Sequence, residues 1–404
     1  MHRLLEVPRE GGRVMVTGAT GYLGSLIVAR ILHEGWASSV LVPSRNPDTP
    51  VMPAAIAAEL SALGADPARF ADRVETVRWN GAEGSDEPGL AALMEARRIR
   101  TLVHCAGCLD YFDEAALEAV NVALTRRLVS AARSAGVERV VFVSTAYAGG
   151  YRSGPVPESP LVEPERDPTA YTRTKRAAEH VVADSGLPFL IVRPSIVIGS
   201  ARDGRYSGKR YGVYQQWMGI ERLLADRYHA ELHTVATSQP LNLVHQDAFG
   251  SAMSGILHRV PDHAFVNLVS ADDASPSMRQ MWQLTSAITR PRRVCFYERL
   301  EHIDLKRLHI RQRSYLTFAR TNLEIGAHPW RFERNWLDCL RAAGTDYTEA
   351  TLDSVRVCLD RFVRHSPVLA GYAERFAGEF PEQTEFIDMP APSGRQQVAE
   401  HAPG

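Results

Sequence analysis

Between residues 13 and 194, short apolar runs alternate with longer stretches in which apolar residues recur every three or four positions. The runs at 14–16, 40–42, 74–77, 101–104, 139–143 and 189–193 are near-continuous and rich in Val and Ile, as strands buried on both faces require. The stretches 23–33, 54–63, 90–97, 114–135 and 170–183 carry helical spacing, and Gly35, Gly64 and Gly136 stand where helices stop. This rhythm predicts an α/β fold: six parallel strands in a doubly wound sheet with helices on both faces.

After Pro194 the rhythm changes. Residues 199–212 are loop-like and rich in Gly, Arg, Ser and Tyr, a helical pattern covers 214–227, and a helix at 247–258 and a strand at 264–269 resume the earlier alternation. From 277 to 374 the pattern is mostly helical, broken at Arg290-Pro291, His328-Pro329 and Gly344. The prediction is a first domain of residues 1–198, to which 238–270 return, and a smaller, mostly helical second domain of 199–237 and 271–388 for the substrate. Trp217, Trp282, Trp330 and Trp336 are expected to pack that second domain, and the Pro- and Gly-rich residues 389–404 to form a disordered tail.

Composition narrows the function classes. Forty-six Lys and Arg against 47 Asp and Glu give a net charge of −1, so no global field recruits nucleic acid or an anionic membrane. No stretch approaches the apolar length of a membrane span and the first residues lack a signal-peptide core, which leaves at most a peripheral membrane contact. Five cysteines in 404 residues make no disulfide framework, so a reducing compartment, the cytoplasm, is expected. Cys105 and Cys108 form a C-x-x-C without a mate and read as core cysteines; His229, His233 and His245 lack metal-ligand spacing, and no metal is expected.

The first strand ends in Thr17-Gly18-Ala19-Thr20-Gly21-Tyr22-Leu23-Gly24 and opens directly into a helix. Glycines at a strand-to-helix turn let backbone N–H groups approach a pyrophosphate at the positive end of the helix, so a dinucleotide is the expected ligand, with a merely Gly-rich turn as the alternative. The second strand ends in Ser44-Arg45 where an acidic ribose ligand would stand. A guanidinium suits a 2′-phosphate and favours NADPH over NADH; a solvated loop arginine is the alternative. The fifth strand runs into Ser144-Thr145-Ala146-Tyr147, and Tyr171 and Lys175 share a helix face further on. The ammonium is expected to lower the phenol pKa, making Tyr171 a proton donor to a carbonyl oxygen that becomes negative as hydride arrives, with Thr145 or Ser144 donating a second hydrogen bond. In the 199–212 loop Arg202, Arg205, Lys209 and Arg210 form a candidate phosphate clamp, a solvated loop being the alternative.

Together the segment 17–24, Ser144-Thr145 and Tyr171-x-x-x-Lys175 resemble the extended short-chain dehydrogenase/reductases, a Rossmann family, and the resemblance covers roughly residues 12 to 270. The segments 143–147 and 191–199, with Trp330-Arg331-Phe332-Glu333-Arg334-Asn335-Trp336, resemble the branch of fatty acyl-CoA reductases and the thioester reductase domains of carboxylic acid reductases. The resemblance implies Thr145, Tyr171 and Lys175 as the catalytic trio. It also implies cofactor contacts from the 17–24 turn, from Asn121, from Lys175 to the nicotinamide ribose, and from Pro194, Ser195 and Val197 near the nicotinamide. Two departures bear on the adenosine half: Asn80 stands where the family commonly has Gly-Asp, and Cys105-Ala106-Gly107 replaces Asn-Ala-Ala. The implied reaction is NADPH-dependent reduction of an acyl thioester, carried on CoA or an acyl carrier protein, to an aldehyde or on to the alcohol, with Tyr147 as a substrate-side candidate and the acyl group entering between the domains. The same trio would serve a ketone or alcohol oxidoreductase or a nucleotide-sugar reductase or epimerase, and a non-catalytic NADPH sensor is the alternative outside enzymes.

Overall fold

The computed structural model describes residues 2–6, 9–45, 52–79, 87–209 and 211–391. In chain order the elements are β1 (Gly12–Thr17), α1 (Tyr22–His33), β2 (Ala37–Ser44), α2 (Ala54–Ala62), β3 (Val74–Arg78), α3 (Glu87–Ala96), β4 (Thr101–His104), α4 (Glu114–Leu117), α5 (Leu124–Ser134), β5 (Arg139–Val143), α6 (Ala170–Ala183), β6 (Phe189–Pro194) and β7 (Ile196–Ile198). There follow α7 (Val213–Gly219), β8 (Glu231–Val235), β9 (Leu243–His245), α8 (Gln246–Arg259), β10 (Ala264–Leu268), α9 (Met278–Thr289), β11 (Arg293–Tyr297), α10 (Ile310–Ala327), α11 (Asn335–Ala342), α12 (Leu352–Arg364), α13 (Pro367–Phe376) and β12 (Glu385–Asp388). Contacts divide the chain into two units: Met1–Lys209, Asn242–Ser275 and Trp330–Cys358; and Arg210–Leu241, Pro276–Pro329 and Leu359–Gly404.

The first unit is built on a seven-stranded sheet of order β10-β6-β5-β4-β1-β2-β3, every pairing parallel. Alternation along each strand sends Val14, Val16, Val40, Val42, Val141, Val143, Leu190 and Val192 into one core with α1, α2 and α8. It sends Met15, Leu41, Val140, Phe142 and Ile191 into the other, with α3, α5 and α6. Both faces are therefore dry, which is why the strands read as continuous apolar runs. Chain direction across the sheet reverses between β1 and β4, and in such sheets ligands bind beyond the strand ends at that reversal.

Three differences from the sequence reading have physical causes. The predicted helix 114–135 is interrupted by a π turn at Glu118–Ala123, where Thr125 Oγ1 returns to the Asn121 carbonyl at 2.6 Å and the Asn121 side chain leaves for the loop after β4. Residues 330–358 pack with the sheet unit, not with 276–329: Trp336, Leu337 and Leu340 share a core cluster with Ile256 and Leu257 of α8, and Trp330 edges onto Tyr147. The second unit holds a three-stranded parallel sheet, β12-β11-β8, beside its helices. Its strands are only four or five residues long, too short for their period to stand out in a helical background. Trp217 packs there against Tyr214 and Phe362, and Trp282 against Tyr315. Of the tail expected to be disordered, 392–404 lie outside the described residues. Among the described residues no helix is long and apolar enough to cross a membrane, and all five cysteines are free.

Candidate active site

The turn after β1 is shaped by two glycines. Gly18 has φ +72°, and a Cβ there would lie 2.7 Å from the Ala106 backbone nitrogen; a Cβ on Gly24 would lie 2.1 Å from the Gly18 carbonyl oxygen. Only bare backbone lets the turn fold under the end of β4 while α1 starts. Helix α1 has Gly21 as N-cap with no side-chain cap, so its first N–H groups keep their hydrogen-bonding capacity, and Thr20 and Gly21 are exposed. Tyr22 points elsewhere: its hydroxyl donates to the Ile198 carbonyl at 3.1 Å and lies 3.3 Å from Gln246 Oε1. Leu23 is half-buried beside it.

Thr17 serves the interior. Its Oγ1 meets His104 Nδ1 at 2.7 Å, His104 Nε2 meets Thr125 Oγ1 at 2.9 Å, and the Ala106 N–H points to Thr17 at 3.4 Å. Burial, then the Lys175 charge, pushes the His104 pKa down to about 3, so a neutral imidazole ties β1, β4 and α5 together. The Asn121 amide is likewise spent inside the protein. Its Oδ1 accepts from Cys108 N at 2.8 Å, and its Nδ2 donates to Thr174 Oγ1 at 3.1 Å and to the Cys108 carbonyl at 3.3 Å, clamping the loop after β4 to α6. The structure therefore shows Asn121 engaged with Cys108 and Thr174. Sequence reading missed His104 altogether, because its significance lies in two partners that are distant along the chain.

Helix α6 opens with a reciprocal Thr169–Thr172 capping box, which fixes its first turn, the turn that carries Tyr171. Lys175, one turn on, is 3% exposed; its Nζ donates to the Val143 carbonyl at 2.7 Å and lies 4.0 Å from the centre of the Phe142 ring. Burial pulls the Lys175 pKa down to about 8. The expected lowering of the Tyr171 pKa is corrected: its surroundings raise it, through burial first and then through Tyr111 and Cys105. The ammonium is held by the Val143 carbonyl and does not offset the desolvation of the phenol, so Tyr171 keeps its proton, with its ring 5.7 Å from that of Tyr111.

The ends of β5 and β6 supply buried hydroxyls. Ser144 Oγ, Ser195 Oγ and Tyr147 Oη are buried with no hydrogen-bond partner among the described residues. Thr145 Oγ1 only accepts a long bond from Tyr147 N at 3.4 Å, so its own hydrogen stays available. Buried hydroxyls without partners are costly to keep, and here they line up on neighbouring strand ends. Pro194 closes β6 and is buried, while Val197 is half-buried in β7, paired with Val244. Cys105, whose thiol burial pushes up to about 11, and Ala106 are half-buried and Gly107 is exposed at the end of β4. Ser44 is half-buried and Arg45 exposed at the end of β2; Asn80 lies outside the described residues. The glycine cradle, the uncapped α1 terminus and the unpartnered hydroxyls fit a dinucleotide.

The 199–212 loop corrects another expectation. Arg205 is not available to a phosphate: it forms a two-pronged pair with Glu59, at 3.0 and 2.6 Å, and Glu59 is 3% exposed. Arg202 is exposed and reaches the Ala62 carbonyl at 3.5 Å, Lys209 is exposed and its carbonyl accepts from Tyr206 Oη at 2.6 Å, and Arg210 lies outside the described residues. The loop is pinned further by Asp247, which accepts from Ser200 Oγ and Ala201 N, and by His245 Nδ1, 2.6 Å from the Gly199 carbonyl. A solvent-facing pattern of Arg in sequence gave no sign of Glu59, the acid that neutralises one of them from a helix 146 residues earlier.

The model of the male sterility protein family of NAD-binding domains matches residues 16–248, more than half of the chain. The chain belongs to this family. The stretch matched by the model runs from β1 to α8 and so contains the turn 17–24, Ser144, Thr145, Tyr171 and Lys175. Among solved structures, the terminal R domain of the myxalamid PKS-NRPS biosynthetic pathway superposes with a TM-score of 0.71, covering 89% of this chain and 93% of that one at 20% identity. Among curated proteins, peramine synthetase of Metarhizium majus is 26% identical over 212 residues, 47% of this chain. The dTDP-6-deoxy-L-talose 4-dehydrogenase (NAD(P)(+)) of Kitasatospora kifunensis is 31% identical over 201 residues, 48% of this chain. The matches take up 7% of the first protein and 54% of the second. The male sterility family thus gives this chain an NAD(P)-binding Rossmann domain of the extended short-chain dehydrogenase/reductase type.

Proposed function

We propose that this chain is an NADPH-dependent reductase that converts an acyl thioester to the aldehyde, with release of the thiol. The observation that carries the reading is the buried ammonium of Lys175 donating to Val143, the last carbonyl of β5, with the protonated phenol of Tyr171 one turn earlier on α6 and, directly after Val143, the unpartnered hydroxyl of Ser144 and the Thr145 hydroxyl whose hydrogen stays available. The similarity to a terminal R domain and the resemblance of 143–147 and 191–199 to thioester reductases support the substrate class.

When bound, the reduced nicotinamide supplies a hydride. The protein's part is to hold the reacting carbonyl and manage its charge. Burial keeps the Tyr171 proton in place until the thioester oxygen becomes negative and takes it, and the hydroxyls of Ser144 and Thr145 donate hydrogen bonds to the same oxygen. Lys175, charged below about pH 8, holds the ribose and keeps a positive charge beneath the site. The hemithioacetal then collapses, its C–S bond breaking as the C=O bond re-forms, and the thiol leaves. In sum, thioester, NADPH and one proton give aldehyde, thiol and NADP⁺. The thioester is carried on CoA or on an acyl carrier protein.

A second reading, reduction or epimerisation of a nucleotide sugar or a ketone, is favoured by the similarity to the talose 4-dehydrogenase. Parallel incubations with acyl-CoA, acyl-carrier thioester, a dTDP-4-keto-sugar and a ketone, read by NADPH loss, and with a nucleotide sugar and the oxidised cofactor, read by chromatography of the sugar because epimerisation consumes no NADPH, separate the two; turnover of a thioester is expected, and turnover of a sugar alone would replace this reading with the second. Cofactor choice rests on Arg45. Arg45→Ala is expected to raise the KM for NADPH about ten- to a hundredfold, the worth of a charge-assisted hydrogen bond, and to leave the KM for NADH unchanged. An equal change for both cofactors would remove Arg45 from 2′-phosphate recognition.

A further inference from the structure

In the second unit, β8 runs Glu231-Leu232-His233, so Glu231 and His233 project from one face of the sheet. Strand β11 lies parallel beside it with Cys295 in register with His233, which brings the thiol to that same face. Carboxylate, imidazole and thiol present ligand atoms that all lie within 4.8 Å of one another. We propose that Glu231, His233 and Cys295 bind a zinc-type divalent ion, with water in the fourth position.

The surroundings already aim the ligands. His233 Nδ1 lies 3.0 Å from Tyr297 Oη, which leaves Nε2 facing Glu231 Oε1 at 2.8 Å. Metal-bound histidines are oriented in this way through their second nitrogen. Glu231 Oε2 accepts from Arg293 at 3.3 Å, which fixes the carboxylate and leaves Oε1 for the ion. On the free edge of β8, Gln312 Nε2 donates to the Glu231 carbonyl at 2.7 Å and its Oε1 accepts from His233 N at 3.3 Å, so the strand cannot slide. In a tetrahedral site with zinc bonds of about 2.0–2.3 Å the ligand atoms stand about 3.5 Å apart, and small side-chain rotations suffice.

Charge also closes. Arg293 is shared between Glu231 and Glu385, and with a Cys295 thiolate the group carries two excess negative charges that a divalent cation cancels. The mixed O, N and S donor set selects a borderline ion over Mg²⁺ or Ca²⁺. The ion would pin β8 to β11. Sequence spacing could not suggest this site, because Cys295 lies 62 residues beyond His233 and register alone joins them.

The test is Co²⁺ titration of the full chain, read by thiolate-to-cobalt charge-transfer absorption and by displacement with Zn²⁺. One equivalent of Co²⁺ is expected to produce the band, and Zn²⁺ to abolish it and raise the melting temperature. Cys295→Ser should remove the band while Cys105→Ser/Cys108→Ser keeps it. Tyr297→Phe, which leaves all three ligands in place, should weaken binding about ten- to a hundredfold. No band in the native chain, or a band that survives in folded Cys295→Ser, overturns the assignment.

Discussion

Tyr171→Phe is expected to lower turnover by about 10²- to 10⁴-fold, the range for losing a positioned proton donor, without altering NADPH binding. The substitution removes one hydroxyl from a ring that stays packed beside Tyr111. It leaves Lys175 in place, because that ammonium is held by the Val143 carbonyl and not by the phenol. Comparing kcat with NADPH affinity from fluorescence titration distinguishes lost chemistry from lost binding. Unchanged turnover would show that the proton comes from elsewhere, and weakened NADPH binding would make Tyr171 a cofactor residue.

The largest stability effect is expected from Glu179→Ala, about 3–5 kcal/mol, which urea denaturation would measure. Arg193 on β6 is fully buried and Glu179 on α6 is 2% exposed; their contacts run at 2.7, 3.0 and 3.2 Å. The same guanidinium donates to the Pro157 and Ser159 carbonyls at 2.8 and 3.0 Å. Without the carboxylate a charge would stay buried, with the two carbonyls and the face of the Phe265 ring left beside it among the described residues. Because α6 also carries Tyr171 and Lys175, the pair holds the helix of these two residues against the sheet. A loss below about 1 kcal/mol, the scale of an exposed pair, would show that water or relaxation supplies the missing charge.

The sheet was legible in the sequence because strands buried on both faces leave continuous apolar runs, and because glycines mark helix ends: Gly35, Gly64 and Gly136 all have positive φ. The turn 17–24 and the Tyr171–Lys175 pair were legible because their spacing is local. What depends on distant partners was not. The Tyr171 phenol rises in pKa because burial outweighs an ammonium engaged elsewhere; Arg205 is consumed by Glu59; and residues 330–358 join the sheet unit through Trp336 and its neighbours. Each outcome turns on which group lies opposite, which no periodicity along the chain encodes. The three-stranded sheet escaped for a different reason, since strands of four or five residues are too brief to establish a period.

Where the hydride goes decides most directly whether this site reduces a thioester. Incubation with an acyl thioester and NADPH deuterated at C4 of the nicotinamide, in each diastereomeric form, followed by mass spectrometry of the product and titration of free thiol, reads this in one experiment. One diastereomer is expected to deliver one deuterium to the aldehyde carbon for each thiol released, with further label only where the aldehyde goes on to alcohol. Thiol release with no deuterium in the product from either diastereomer, and the carboxylic acid in place of the aldehyde, would mean hydrolysis and would contradict reduction as the function of this site.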